Sequence, residues 1–70
     1  MNELYALFFV PTGNHTGQFV SASNEIDKLS QSVPGVNTWT VKRDPNDKSL
    51  RREAESPMGK YLIRQVLYIC

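Results

Sequence analysis

Few side chains in this 70-residue sequence have both the type and the spacing to do chemistry. His15 is the single histidine, and it sits in Gly13-Asn14-His15-Thr16-Gly17. One imidazole excludes a two-histidine metal site or a histidine acid–base pair within one chain. Its sharpest use is as the general base of a small nuclease-like site, with Lys or Arg stabilising a phosphorane. No orienting carboxylate lies in its segment, so a solvated loop histidine is the preferred reading. Gly13-x-x-x-Gly17 shares only its glycines with a phosphate loop, since no Lys-Ser or Lys-Thr follows and the chain leads into a strand. Cys70 is the single cysteine, so an internal disulfide is excluded and a structural zinc lacks ligands. It reads as a small packing group. No catalytic set, metal or cofactor is expected.

The basic side chains say more. Between residues 42 and 64, seven cations (Lys42, Arg43, Lys48, Arg51, Arg52, Lys60 and Arg64) face four carboxylates (Asp44, Asp47, Glu53 and Glu55), a local +3. The rest of the chain carries −2, giving a formal net charge of +1. That total excludes an acidic nucleic-acid mimic and a strongly basic arm. The asymmetry suggests a phosphate-binding face built from Lys42, Arg43, Arg51 and Arg52, with Trp39 and Tyr61 as stacking groups. Against it, Arg51-Arg52-Glu53-x-Glu55 neutralises itself locally, and a solvated loop is the preferred reading.

The elements that must position these groups follow from hydropathy and turn residues. Leu4 to Val10 is an apolar run closed by Pro11-Thr12-Gly13, the pattern of a buried strand. Gln18 to Ser21 returns as its hairpin partner across a polar, glycine-bearing tip. Ala22, Ile26, Leu29 and Val33 form one helical stripe. Ser21, Ser23 and Asn24 are N-cap candidates and Pro34-Gly35 is a stop, which predicts a helix over about 23–32. Val36 to Arg43 alternates as a half-exposed strand. Asp44 to Gly59 is expected to be mostly a long charged loop, anchored only by Leu50 and Ala54. Lys60 to Cys70 reads as a strand with Tyr61, Ile63, Gln65 and Leu67 on one face, with a helix as the alternative.

These elements make one small domain over residues 1–70. The expected class is α+β: an antiparallel sheet of about four strands in ββαββ order, one helix packed on one face. Both the first and last strands are apolar on both sides, and one short helix covers only one. Something further must bury Tyr5, Leu7 and Phe9, or else Leu4, Ala6 and Phe8, together with the second side of the last strand. A contiguous exposed apolar patch marks an interface. The expected partner surface is therefore Tyr5, Leu7, Phe9, Tyr61, Ile63 and Leu67, used in a homodimer or against a protein target. The functional expectation is a small non-catalytic interaction module, an oligomeric adaptor or docking inhibitor of the kind found among phage accessory proteins. Nucleic-acid binding through the basic 42–64 stretch is the alternative, and a ligand or RNase site at His15 is the weaker one. No apolar run approaches the ~20 residues needed to span a bilayer, and with neither a signal-peptide pattern nor a disulfide framework a cytoplasmic location is expected.

Overall fold

The computed structural model describes residues 2–13, 16–36, 38–46 and 48–69. Five strands and one short helix follow in the order β1 (Asn2–Pro11), β2 (Gln18–Ser23), α1 (Ile26–Gln31), β3 (Thr40–Arg43), β4 (Leu50–Ser56) and β5 (Gly59–Ile69). They form a single sheet in the order β2-β1-β5-β4-β3, with every pairing antiparallel. Among the described residues no helix is long and apolar enough to cross a membrane.

The sheet corrects the expected four strands to five and the order to ββαβββ. The added strand, β4, lies inside the segment expected to be a loop. It returns into β5 through the two-residue turn Pro57-Met58, with Ser56 opposite Gly59. The final segment is a strand, and the helical alternative fails because each of its residues from 59 to 65 pairs with β1. The helix is shorter than its apolar stripe suggests. Glu25 occupies the N-cap position without a side-chain capping bond. Its amide instead donates to the Ser23 hydroxyl at 3.0 Å, so Ser23 closes a turn before the helix rather than capping it.

α1 packs against one side of the sheet. Leu29 and Val33 join Tyr5, Leu7 and Ile63 in the buried cluster, and Ile26, Val36, Trp39, Leu50 and Tyr61 pack around it. Successive residues of a strand point to opposite faces, and the register keeps this set on one side: Leu7 opposes Ile63, and Ile63 opposes Arg52. Arg52 thus reaches the helix, donating to Asp27 Oδ1 at 3.0 Å and to the Ser30 hydroxyl at 2.8 Å. The Ser30 hydroxyl itself donates to the Ile26 carbonyl. These contacts tie α1 to β4.

The same burial corrects the expected partner surface. Tyr5, Leu7 and Ile63 are the chain's own core, 6%, 1% and 0% exposed. Phe9 and Tyr61 pack on each other with ring centroids 4.8 Å apart, and Tyr61 borders the core. Leu67 is placed by its backbone pairing with Leu4. The side away from the helix is the alternative one, which carries Ala6, itself buried, and the half-buried Phe8.

The open face of the sheet

The residues between those of the core define the open face, and the register arranges them in rows. One row runs Ala22, Ala6, Arg64, Arg51, Lys42 across all five strands. The next, two residues along every strand but β2, where the register shift makes it three, runs Phe19, Phe8, Leu62, Glu53, Thr40. A third carries Val10, Lys60 and Glu55. The face is therefore apolar over β2 and β1 and charged over β5, β4 and β3.

On the apolar half, Phe8 and Phe19 meet edge to face, centroids 5.8 Å apart and planes at 76°. Phe19 is 64% exposed. On the charged half, Glu53 is held by Lys60 at 3.2 Å and by Lys42 at 3.6 Å. Arg51 and Arg64, directly paired, make no ion pair among the described residues. The Arg51 Nε is buried without a hydrogen-bond partner. Arg51, Arg52, Glu53, Lys60, Leu62 and Arg64 line one depression of about 250 Å³. Like charges directly opposite in a sheet destabilise it, so folding alone gives no reason to set Arg64, Arg51 and Lys42 abreast.

Burial pushes the Glu53 carboxyl up, but Lys60 and Lys42 together outweigh it and hold the group below the ordinary carboxylate range. A depressed folded-state pKa means the stability it contributes is present above the unfolded value near 4.3 and is lost as pH falls through the folded value. Glu53→Gln is therefore expected to cost about 0.5–1 kcal/mol at neutral pH. That difference should vanish in acid, below the folded pKa. Urea midpoints across pH check this, and a pH-independent gap would refute it.

The structure divides the basic residues expected to act together. Lys42 and Arg51 lie on the open face. Arg43 pairs with Leu50 on the helix side and donates to the Lys48 carbonyl at 2.7 Å. Arg52 is committed to the helix, and Trp39 packs against the core rather than beside the cations. Lys60 and Arg64, counted in the basic stretch but not singled out, complete the face with Phe8, from the alternative apolar set, and Phe19, which is in no expected set. Two-residue alternation carried their signal, since Arg64 alternates with Ile63 and Arg51 with Arg52. His15 and Cys70 lie outside the described residues. No group of three or more His, Cys, Asp or Glu is placed to hold a metal among the described residues. Compared with protein-family models, curated proteins and solved structures, the chain matches none.

Proposed function

We propose that the chain is a non-catalytic binding module that docks on a macromolecule through the open face of its sheet. One observation carries this reading: a helix covers one side, while the other presents Phe8, Phe19 and Leu62 beside Arg51 and Arg64, which make no ion pair among the described residues. In that role the module works as an adaptor or docking inhibitor, occupying its partner rather than transforming it.

The strand edges are poorer docking sites. β3 is four residues long and carries Lys42 and Arg43. β2 has a register shift opposite Leu7 and Phe8. Short, charged or bulged edges discourage strand addition. A second copy stacked sheet to sheet covers the aromatic rings, but it also desolvates a cation row that no complementary acidic row on this face can meet.

Amide chemical-shift mapping tests the reading with three perturbations: a single-stranded oligonucleotide, polyglutamate, and self-dilution. At least one is expected to move amides of β1, β4 and β5 flanking the open-face residues while leaving α1 in place. If all three leave those amides unmoved, the proposal falls.

A further inference from the structure

Resting on that reading, we infer that the open face takes a single-stranded nucleic acid, its bases against Phe8 and Phe19 and its phosphates on Arg64, Arg51 and Lys42. The charge sets the sign of the ligand. Four cations on this face (Lys42, Arg51, Lys60 and Arg64) stand against Glu53 and Glu55, and Glu53 is already shared by two lysines. Arg51 and Arg64 keep planar guanidinium groups without a carboxylate partner among the described residues, the geometry that grips phosphate oxygens in pairs. An anionic ligand therefore resolves the like-charge row that the fold itself leaves unexplained.

The rings set the kind of anion. Phe19 presents most of its surface to solvent beside Phe8. Such a surface accepts any base by stacking without sequence preference. Phe8 lies one strand across and two residues along from Arg64, about 8 Å between backbone positions. The three cations span two strand spacings, about 10 Å. Base and phosphate, separated by one sugar, bridge a gap of that order. A duplex hides its base faces and leaves the rings unused. An acidic peptide satisfies the cations but brings no flat group to the phenylalanines.

Fluorescence anisotropy with labelled oligo(dT) and oligo(U) tests the inference, alongside a same-length duplex and polyglutamate as competitor. Single strands are expected to bind, with a log–log salt slope near −2, about −0.7 for each of three neutralised phosphates. Arg51→Glu and Arg64→Glu should each weaken binding by about tenfold and flatten that slope. Arg43→Glu makes the same charge change on the helix side and should shift affinity by less than about twofold. Phe19→Ala should weaken binding roughly fivefold to a hundredfold. Phe19 is exposed, and circular dichroism verifies that each variant is folded.

Equal affinity for duplex, with Phe19→Ala silent, would reduce the face to general electrostatics and overturn the inference. Binding of polyglutamate or self-association, with oligonucleotides silent, would also overturn it while leaving the docking face intact. Silence from every probe would remove both.

Discussion

Ile63→Ala is expected to leave the protein close to its unfolding threshold at ambient temperature. Ile63 is fully enclosed at the centre of the sheet, opposite Leu7 on β1 and Arg52 on β4. Truncating a buried Ile to Ala costs about 2–5 kcal/mol through lost transfer energy and the cavity left behind. A domain of this length has a total stability of only about 4–10 kcal/mol. The upper end of the loss applies, because strands on both sides fix the cavity walls and limit collapse. Urea titration followed by circular dichroism should show a large fall in midpoint. Ile63→Val, which removes one methyl group, should lose only about 0.5–1.5 kcal/mol. A midpoint for Ile63→Ala close to that of the parent would mean that Ile63 is not the core position described.

Gly59→Ala is expected to be nearly as damaging for the opposite reason, too little space. Gly59 opens β5 opposite Pro11 on one side and Ser56 on the other. A Cβ there would run into the Val10 carbonyl oxygen and come within 2.8 Å of the Phe9 ring. The ring can turn, but the carbonyl belongs to the backbone of β1, so β1 and β5 must part. Overpacking of this kind costs about 1–3 kcal/mol. The disturbance should reach the turn that closes β4 onto β5. There the Thr12 amide donates to the Met58 carbonyl at 3.0 Å and its hydroxyl to the Pro57 carbonyl at 3.3 Å. Faster hydrogen exchange at Thr12 should accompany the loss of stability. Gly17→Ala is the internal control. A methyl group there meets only Val10 and Phe8 side chains at 3.5 and 3.9 Å, ordinary contact. Equal effects at the two glycines would sink the explanation.

What the sequence revealed and hid follows from how each strand is paid in hydrophobicity. β1 and β5 lie at the centre, buried in part on both faces, and their near-continuous apolar runs announced them. β2 followed from its turn residues, and α1 from its apolar stripe, although Ser23 moved the start of the helix toward Ile26. β4 was hidden because it is polar almost throughout. Only Leu50 and Ala54 mark it, and Arg52, which shares their face, faces inward to hold the helix. Its alternation is an alternation of destinations rather than of hydropathy. The site suffered the same way. Grouping Arg51 with Arg52 and Trp39 followed closeness in sequence, whereas neighbours along a strand look to opposite sides. Once 50–56 is a strand, the same alternation brings Arg51 beside Arg64 and Lys42. The two-sided apolar character of β1 already implied an open face, but which side the helix takes depends on the long-range pairing of β1 with β5.

That pairing also has a kinetic consequence. The first and last strands are neighbours at the middle of the sheet, although four elements separate them along the chain. Until β5 exists, β1 has only β2 beside it, and Leu29 and Val33 lack Ile63 beneath them. Hairpins β1–β2 and β3–β4 can form early and locally, but no core joins them. Closing the centre brings together residues far apart in sequence, the slow kind of contact. A growing chain that has reached Ser56 therefore carries the apolar run of β1 with one flank unpaired, open to wrong partners. Folding waits for β5, and the domain forms all at once when that strand slides into the gap.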